Sequence, residues 1–455
     1  MSNLKDKVTG YDNLVIPYHV MQGVVGAVRY GFPGKKMTVI GVTGTNGKTT
    51  TCFMIWKMLN SAGMKAGLMT TVAWGVERLH KQIEHMTTVD AQTLNKRMDE
   101  IRRLGAKYLV LEVTSHAMAQ HRTLGVPIDL AVMTNVTHEH LDYHKTFERY
   151  RDAKRKLFKK AKFGVVNADD ASGIWFMQDV KHYITYGIKH GQLRADKIKL
   201  SPDLVKYSCG DIKLNEKADN ISAEKMDVTV NIPGEFNVYN SLAAVCVGLK
   251  LGLSERQIVD GLFSLDEVEG RMNKVDAGQD YTVIVDYAHT PDAFKKVFGS
   301  VCLPKKKRGK RGRRVITVTG GAGRRDESTR AERGEIAARY SDVLIVTEDD
   351  SRDEDPREIA EEFVKGAEKE GMTEGEDVLV ELDRRAAIEA AVAMARKGDL
   401  ILILGKGHEK TILRANGAHN FEDLKVTRRA IERRMRAERK ASGKVGGEGG
   451  GGKNK

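Results

Sequence analysis

Cysteine is scarce in this chain of 455 residues. The four cysteines, Cys52, Cys209, Cys246 and Cys302, are scattered, and no two stand at the spacing of a metal-binding pair. This scatter argues against a disulfide framework or a zinc site and fits a reducing compartment. The N-terminus also lacks the basic start, apolar core and cleavage site of a secretion signal. We therefore expect a cytoplasmic protein.

Long apolar runs and aromatic residues are few as well. The most apolar stretch, residues 14–29, contains proline, histidine, glutamine and arginine and is short for a transmembrane segment. We interpret it as a packed helix, with a membrane-surface anchor as the alternative. The basic runs, residues 305–314 and the tail from Arg428, carry no interleaved aromatics for base stacking. The net charge of +13 thus predicts a solvated surface and no specific nucleic-acid partner.

The chain does show alternating strand and helix signals, interrupted by polar strand-like pieces over residues 179–232 that indicate an antiparallel insertion. This pattern predicts an α/β protein with two domains on mainly parallel sheets, a central one and then a C-terminal Rossmann-like one. The assignment of the central domain to the ATPase type with a phosphate loop depends on the glycine-rich sequence at residues 41–50. The expected ranges are a short helical segment over 1–35, the central domain over 36–269, the C-terminal domain over 270–435 and a disordered Gly/Lys-rich tail over 436–455.

The sequence GVTGTNGKTT, residues 41–50, lies between a predicted strand and a predicted helix. In such a loop, backbone amides face phosphate groups, a lysine adds positive charge, and a threonine hydroxyl can bind Mg²⁺. The spacing differs from the general nucleotide loop, because Val42 stands where that loop has a glycine. A glycine-rich turn with a capping threonine is the alternative, but it does not explain the lysine. We predict a nucleotide site.

The loop resembles that of the Mur ligases, G-x-x-G-T-N-G-K-T-[ST], at every position. Seven other stretches resemble that family in the same order: EVTSHAMAQHR, TNVTHEHLDYH, YRDAKRKLF, GEFNVYNSLAA, GRMN, VDYAHTPDA and GKGHE. The pairing of E-V-x-S-H-A with D-Y-A-H-T-P-D-A is similar to the muramyl-tripeptide synthetases. The resemblance implies an ATP-dependent ligase that adds the third stem residue, diaminopimelate or lysine, to UDP-MurNAc-L-Ala-D-Glu through an acyl phosphate.

The resemblance also implies a catalytic group. Thr49, Glu112 and His140 would bind Mg²⁺ at two sites, and Lys154 would react with CO₂ to become a carbamate that binds or orients the metal. That reaction needs a neutral amine, so burial or positive neighbours must lower the pKa of Lys154. A solvated carboxylate, a hydrogen-bonded histidine and a solvated lysine are the alternatives for Glu112, His140 and Lys154. The phosphates would contact Gly44, Thr45, Asn46, Gly47, Lys48, Thr49 and Thr50, and Lys48 would join Lys154, His140 and Glu112 in catalysis.

Substrate contacts are implied in the same way. Asn237 and Asn240 would contact the purine, and helix capping is an equal alternative for both. The nucleoside would contact Asn237, Asn240, Asp286 and His289, and Arg271 would reach a phosphate. The acceptor would contact Thr87, Thr88, Thr114, Ser115, His116 and Arg122. The incoming amino acid would contact Arg352, Gly405 and Glu409.

Two departures from the family pattern leave alternatives open. Residues 1–35 precede the loop where typical muramyl-tripeptide synthetases carry a uridine-binding domain, so a partner chain could supply that site, or the acceptor could lack uridine. Asp349, Asp350, Ser351 and Arg352 replace the D-N-P-R of diaminopimelate-adding members. The extra anion could favour lysine, whereas Arg352 and GKGHE favour diaminopimelate. A folylpolyglutamate- or cyanophycin-type ligase, a precursor-amidating subunit and a non-catalytic nucleotide-binding partner are the other hypotheses.

Overall fold

The computed structural model describes residues 11–82, 84, 86–308 and 313–445. The chain divides into two compact units, Met1–Asp266 and Glu267–Lys455. Each unit has a hydrophobic core of its own and is built on a mainly parallel sheet flanked by helices. The predicted α/β fold class is therefore confirmed.

A nine-stranded sheet organises the first unit. Neighbouring strands are parallel except at one edge, where Ala73–Gly75 pairs antiparallel with the strands on both of its sides. Its strands are β1 (Thr38–Thr43), β2 (Ala66–Met69), β3 (Ala73–Gly75), β4 (Leu79–Lys81), β5 (Tyr108–Glu112), β6 (Ile128–Met133), β7 (Ala161–Asn167), β8 (His182–Gly187) and β9 (Leu193–Arg194). They run in the order β4-β3-β2-β5-β1-β6-β7-β8-β9. The central strand β1 is buried along nearly its whole length, which explains its apolar sequence.

Nine helices of the described residues flank this sheet. Some of their starts carry capping side chains: Asp90 accepts backbone N–H bonds at the start of one helix, and Ser254 forms a capping box with Gln257 at the start of another. The helices are α1 (Tyr11–Arg29), α2 (Lys48–Ser61), α3 (Ala91–Arg103), α4 (Ser115–Ala119), α5 (Leu141–His144), α6 (Phe147–Phe158), α7 (Gly173–Gln178), α8 (Glu235–Lys250) and α9 (Glu255–Phe263). Helix α1 packs against α3. Across the described part of the chain, no helix combines the length and apolarity that crossing a membrane requires.

An antiparallel insertion does follow the parallel strands, but it begins later than predicted. Its strands are β10 (Asp196–Leu200), β11 (Val205–Cys209), β12 (Ile212–Lys213), β13 (Ser222–Ala223) and β14 (Met226–Val230). The sequence places its start near residue 179, whereas β8 and β9 belong to the main sheet and pair in parallel. The reason is burial, since the last four residues of β8 are buried beside β7.

The second unit contains a six-stranded sheet. Its elements are β15 (Asn273–Lys274), β16 (Thr282–Asp286), α10 (Pro291–Val301), α11 (Lys305–Arg308), β17 (Val315–Thr319), α12 (Arg330–Tyr340), β18 (Val343–Val346), α13 (Pro356–Glu368), β19 (Val378–Val380), α14 (Arg384–Met394), β20 (Leu400–Leu404), the hairpin β21 (Thr411–Arg414) and β22 (Gly417–Asn420), and α15 (Asp423–Val445). The strand order is β15-β16-β20-β17-β18-β19, and only β15 pairs antiparallel.

The last helix is longer than the sequence predicts. A disordered tail was expected from residue 436, but α15 continues to Val445. Its sequence after Arg434 is rich in arginine, alanine, glutamate and lysine, which favour helix, and Arg434 pairs with Glu438 one turn later at 2.7 Å. The tail's remaining residues, 446–455, lie outside the described residues.

Candidate active site

The glycine-rich loop connects β1 to α2 at the carboxyl edge of the first sheet. Its glycines are required by close neighbours: a Cβ on Gly44 would lie 1.9 Å from Thr134 Oγ1, and one on Gly47 would lie 2.3 Å from Asn240 Oδ1. Both glycines also have positive φ, at 153° and 84°. Asn135, which follows the neighbouring strand β6, stabilises the loop, because its carbonyl accepts a hydrogen bond from Thr45 N at 2.7 Å.

Thr49 and Glu112 bring two side-chain oxygens together beside this loop. Thr49 Oγ1 donates to Glu112 Oε2 at 3.0 Å, and both side chains are buried. Glu112 lies at the end of β5, the strand next to β1, so the parallel sheet itself aligns the two residues. Hydroxyl and carboxylate oxygens are ligands that Mg²⁺ prefers, and these residues therefore fit a magnesium ion.

Lys154 is the buried lysine of the first unit. It lies on α6, is 2% exposed, and its Nζ donates to the carbonyl of Gly44 at 2.6 Å. Burial, followed by the positive charge of Lys48, lowers its pKa well below the usual value, while Glu139 and Glu112 oppose the shift. The environment thus favours the neutral amine, which is the form that can add CO₂.

Tyr150 connects these parts; it begins the motif YRDAKRKLF but was not predicted as a site residue. Its hydroxyl shares a hydrogen bond of 2.9 Å with Thr45 Oγ1 and donates to Glu139 Oε2 at 3.1 Å. Lys154 Nζ lies 4.5 Å from the centroid of its ring, and the side chain is fully buried. The available signal was its position four residues before Lys154, which places both on one face of α6.

Three histidines lie close together beside Tyr150. The ring centroids of His116 and His140 are 4.7 Å apart, and those of His116 and His144 are 5.4 Å apart. Burial and then His140 lower the pKa of His116 to about 3, and burial lowers that of His144 to about 4. His144 Nε2 hydrogen-bonds Ser115 Oγ at 3.0 Å, which fixes the start of α4. At neutral pH, His116 and His144 are uncharged.

The predicted acceptor residues surround the end of β5. Thr88 Oγ1 donates to the Glu112 carbonyl at 2.9 Å and accepts from Thr114 N at 3.1 Å. Arg122 Nη1 donates to the Thr88 carbonyl at 2.5 Å, and Thr114 caps α4. Thr87 precedes this group and is half-buried. Thr88 thus connects Glu112, at the end of β5, to Thr114 and Arg122.

The two asparagines of α8 lie inside the first unit. Asn237 Nδ2 donates to the Pro233 carbonyl at 2.7 Å, and Asn240 Nδ2 donates to Asn237 Oδ1 at 2.9 Å. Asn240 Oδ1 also accepts from Thr51 in α2 at 3.3 Å. Both side chains are buried, so contact with a purine would require these hydrogen bonds to be exchanged. The purine contact stays a prediction.

Asp286 is likewise engaged within the second unit, at the end of β16. Its carboxylate accepts from Met272 N at 2.8 Å and from Ala288 N at 2.7 Å, and burial raises its pKa. The guanidinium of Arg271 lies 4.7 Å from the centroid of the Tyr287 ring. The ring centroids of His289 and Tyr287 are 4.6 Å apart. The ribose contact predicted for Asp286 therefore also stays a prediction.

A second buried lysine organises the carboxyl edge of the second sheet. Lys406 follows β20, and its Nζ donates to Asp349 at 3.0 Å, Asp350 at 2.7 Å and Glu409 at 2.5 Å. Burial opposes the charge, but Asp349, Glu409 and Asp350 together raise the pKa of Lys406. Gly405 has φ of 115°, and a Cβ there would lie 2.8 Å from Asp349 Oδ2. Lys406 was not predicted as a site residue, although it lies in the motif GKGHE directly after an apolar strand.

A small, partly open cleft lies next to this lysine within the second unit. Burial lowers the pKa of Arg333 to about 10, so this side chain stays cationic at neutral pH. Arg352 has φ of 54° and donates to the Gly323 carbonyl at 2.6 Å. Mixed charges suit a ligand that carries both an ammonium and a carboxylate, as amino acids do. The charged lining residues are Arg325, Asp326, Arg333, Asp349, Asp350 and Glu409.

The chain matches two protein-domain families and resembles several known proteins. Residues 42–248 match the Mur ligase middle domain, and residues 270–407 match "Mur ligase, glutamate ligase domain". The chain is similar to the UDP-N-acetylmuramyl-tripeptide synthetase of Roseiflexus sp. (strain RS-1), with 37% identity over 427 residues, 90% of this chain and 81% of the relative. It is similar to the UDP-N-acetylmuramoyl-L-alanyl-D-glutamate--2,6-diaminopimelate ligase 1 of Clostridium acetobutylicum, with 36% identity, 90% of this chain and 81% of the relative.

Solved structures agree. A UDP-N-acetylmuramoyl-L-alanyl-D-glutamate--2,6-diaminopimelate ligase matches with a TM-score of 0.60 at 28% identity, over 91% of this chain and 83% of that one. The Mycobacterium tuberculosis folylpolyglutamate synthase matches with a TM-score of 0.67 at 15% identity, over 85% of this chain and 92% of that one. The second similarity shows the fold alone.

Proposed function

The chain belongs to the Mur ligase family of ATP-dependent ligases, and from this premise we propose that it is a muramyl-tripeptide synthetase. It would join a diamino acid, diaminopimelate or lysine, to UDP-MurNAc-L-Ala-D-Glu. The observation that carries the proposal is the buried grouping of Thr49, Glu112 and Lys154 around the glycine-rich loop. The names of the relatives, which specify this type of ligase, support it. We place the reaction in the cytoplasm.

Amide formation in water is unfavourable, so the acceptor carboxylate must first be activated. In the proposed reaction, a carboxylate oxygen attacks the γ-phosphorus of ATP, and the bond to ADP breaks. The amine of the incoming residue then attacks the acyl phosphate, a tetrahedral intermediate forms, and phosphate leaves while the amine loses a proton. Loop amides and Lys48 would hold the phosphates and stabilise the developing negative charge.

Mur ligases use ATP and Mg²⁺. Bound Mg²⁺ supplies positive charge that reduces the repulsion between triphosphate and carboxylate. Thr49 and Glu112 would hold one ion, and His140 would help to hold a second. Glu112 is pre-oriented for this role, because its Oε2 also accepts from Thr71 N and Oγ1 at 3.0 and 3.1 Å.

Lys154 is proposed to be carbamylated. Its neutral Nζ would form a bond to the carbon of CO₂ and release one proton, which yields a carbamate anion. The anion would replace a cation that repels Mg²⁺ with a group that can bind or orient it. The lowered pKa of Lys154 and its position at Gly44 support this proposal.

Replacement of this lysine tests the carbamate. Lys154→Ala is expected to abolish phosphate release, and short-chain carboxylates are expected to restore part of it because they supply the missing anion. Lys156→Ala changes an exposed lysine two residues away on α6 and serves as the control. Full activity of Lys154→Ala without added carboxylate would rule out the carbamate.

Substrate binding is proposed for both groups of residues. Thr87, Thr88, Thr114, Ser115, His116 and Arg122 would contact the acceptor, and Arg352, Gly405 and Glu409 would contact the incoming amino acid. Arg352 would pair with a distal carboxylate, which favours diaminopimelate, as do the names of the relatives. Asp350 adds a carboxylate to the cleft and would suit the distal ammonium of either amino acid.

A reconstituted assay tests the function. The protein is incubated with ATP, Mg²⁺, UDP-MurNAc-dipeptide and either diaminopimelate, lysine or glutamate, and phosphate release and product mass are measured. We expect release that requires both the acceptor and a diamino acid, and a product heavier by that residue. Release only with glutamate, or no release with any of the three amino acids, would contradict the proposal.

A further inference from the structure

The second unit carries a strongly basic surface that none of the proposed site residues uses. We call it the basic face and define it by twelve side chains. Most of them are exposed, and three arginines are half-buried. The residues are Lys305, Lys306, Lys307, Arg313, Arg314, Arg396, Lys397, Arg433, Arg434, Arg436, Arg439 and Lys440.

Three segments far apart in the sequence meet at the end of α14 to form this surface. Arg314 Nη1 donates to the Met394 carbonyl at 3.3 Å, and Arg434 Nη1 donates to the Ala395 carbonyl at 2.8 Å. Arg313 Nε donates to the Gly398 carbonyl in the turn that follows, at 3.0 Å. Cations are favourable near helix carboxyl ends. The fold therefore gathers charges that the sequence shows only as two separate basic runs.

The basic face lies at the opposite end of the sheet from the amino-acid cleft. Strand β20 begins directly after the turn at Gly398, and its other end, roughly 16 Å away, reaches Gly405 at the cleft. Helix α15 starts beside the beginning of α14, where Asp423 pairs with Arg384. It passes the end of α14 at Arg434 and continues for about 16 Å more.

Acidic partners neutralise only part of this surface. Glu438 pairs with Arg434 at 2.7 Å, Glu389 pairs with Arg433 at 2.8 Å, and Asp399 pairs with Arg314 at 3.4 Å. On α11, Lys306 lies 3.4 Å from Glu370, which Arg339 also contacts. Lys305, Lys307, Arg396, Lys397, Arg436 and Lys440 have exposed side chains that add to the positive field.

An exposed leucine distinguishes the kind of polyanion that fits. Leu303 is 59% exposed and directly precedes Pro304 and the three lysines of α11. Basic residues beside an exposed aliphatic side chain suit a lipid surface, where the charges meet headgroup phosphates and the apolar group enters the acyl region. A single-stranded nucleic acid would favour exposed aromatic side chains for stacking, whereas the Tyr281 ring, 5.2 Å from the Arg434 guanidinium, is only 5% exposed.

We propose that the basic face binds the surface of an anionic lipid bilayer. The association is peripheral and reversible, because the patch offers electrostatic attraction and one leucine rather than an acyl anchor or a spanning helix. It leaves the amino-acid cleft, at the opposite end of the sheet, uncovered. The proposal is independent of the ligase reaction.

Vesicle sedimentation tests this binding with the full chain. Vesicles of phosphatidylglycerol and phosphatidylcholine in a ratio of one to three are compared with vesicles of phosphatidylcholine alone. We expect binding to the anionic vesicles only, and a steep loss as salt rises from about 0.05 M to about 0.5 M, because salt shortens the screening length. Equal binding to both vesicle types, or no binding at low salt, would overturn the proposal.

Charge-reversal variants locate the surface. The triple variant Arg436→Glu, Arg439→Glu, Lys440→Glu is expected to lower vesicle affinity about tenfold or more. Its matched control, Lys199→Glu, Lys206→Glu, Lys213→Glu, makes the same charge change on exposed strand positions of the first unit. Thermal unfolding and phosphate release verify that both variants are folded and active. An equal loss of affinity in both would show that net charge alone drives binding and would overturn the proposal.

The exposed leucine separates lipid from nucleic acid. Leu303→Ser is expected to weaken vesicle binding severalfold and to leave retention of a DNA duplex unchanged. A duplex bound more tightly than the anionic vesicles at equal salt, with no effect of Leu303→Ser on either, would assign the basic face to nucleic acid instead.

Discussion

Tyr150 joins three functional parts of the first unit through one side chain. Its hydroxyl contacts Thr45 in the glycine-rich loop and Glu139 beside the histidine group, and its ring lies against the Lys154 amine. We therefore interpret it as a positioning residue that keeps the loop and the lysine in register.

Tyr150→Phe removes only the hydroxyl and tests this role. We expect phosphate release to fall about tenfold with a raised KM for ATP, because Thr45 loses the contact that holds it. Tyr186→Phe is the control, since Tyr186 is equally buried but donates to the Met133 carbonyl at 3.0 Å. Both variants should lose about 1–2 kcal/mol of unfolding free energy, and only Tyr150→Phe should change the kinetics. Unchanged kinetics would leave Tyr150 a purely structural residue.

His144 predicts a pH dependence of stability. Burial lowers its pKa in the folded protein to about 4, whereas an unfolded histidine has a pKa of about 6.5. The unfolded state therefore binds more protons between these values, and the contribution to stability present above pH 6.5 is lost as the pH falls toward 4. His144→Gln should show a shallower fall in Tm from pH 7 to pH 4.5 than the parent chain. His80→Gln, at an exposed position on β4, should match the parent; equal slopes for His144→Gln would contradict the prediction.

At the scale of residues, local motifs identify some of the side chains that meet at the candidate site and leave others unidentified. The loop, Glu112 and Lys154 each carry a motif, and Thr49 and Glu112 do lie in hydrogen-bond contact. Tyr150 and Lys406 gain their importance from neighbours distant in the sequence, which periodicity and spacing do not reveal. Asn237 and Asp286 show the reverse case, because their motifs are present but their polar atoms are engaged inside the protein.

The connection from β1 to α2 depends on a glycine at its first turn. An alanine at Gly44 would place Cβ 1.9 Å from Thr134 Oγ1 and 3.0 Å from the Asn135 carbonyl, at a φ of 153°. We expect Gly44→Ala to cost more than about 1 kcal/mol of unfolding free energy and to weaken ATP binding at least about tenfold. Calorimetry and equilibrium binding measure the two effects.

Gly299 in α10 offers the matched control for this loop. No neighbouring heavy atom lies within 4 Å of a Cβ at Gly299, so alanine should stabilise the helix by about 0.5–1 kcal/mol. Comparable destabilisation by Gly44→Ala and Gly299→Ala would show that the loop has no special requirement for glycine.

Elements with a clear apolar period were predicted well, and errors occurred where a polar sequence is buried by its neighbours. Strand β8 contains histidine, tyrosine and threonine, so it resembles the polar insertion that follows, yet pairing with β7 buries its last four residues. Helix α15 continues beyond its buried apolar residues, because helix-forming residues and the Arg434–Glu438 pair stabilise its last turns.

The division into two units predicts two cooperative unfolding steps. Arg384 and Asp423, both 0% exposed in the second unit, form a bidentate ion pair at 2.8 Å. Asp423→Asn leaves the buried guanidinium without its counter-charge and should cost about 3–5 kcal/mol in this unit alone. Glu438→Gln, which breaks the exposed pair with Arg434, should change stability by less than about 0.5 kcal/mol. Scanning calorimetry should show one of two transitions shifting in Asp423→Asn; a common shift of both would contradict separate units.

Chain length and alternating strands and helices were sufficient to predict more than one α/β unit. The units separate between residues 266 and 267, near the expected boundary at 269 and 270. The gathering of basic side chains at the end of α14 could not be predicted, because it depends on where α15 lies in the folded unit.

Lys154 and Lys406 are both hidden from solvent, but their surroundings act on the two amines in opposite directions. Carboxylates raise the pKa of Lys406 and favour its protonated form, whereas burial and the charge of Lys48 lower the pKa of Lys154 and favour its neutral amine. If the enzyme needs carbamylation of Lys154 for activity, its reaction rate would depend on the supply of inorganic carbon. Protein prepared under degassed, bicarbonate-free conditions would then start slowly and recover as the gas is restored.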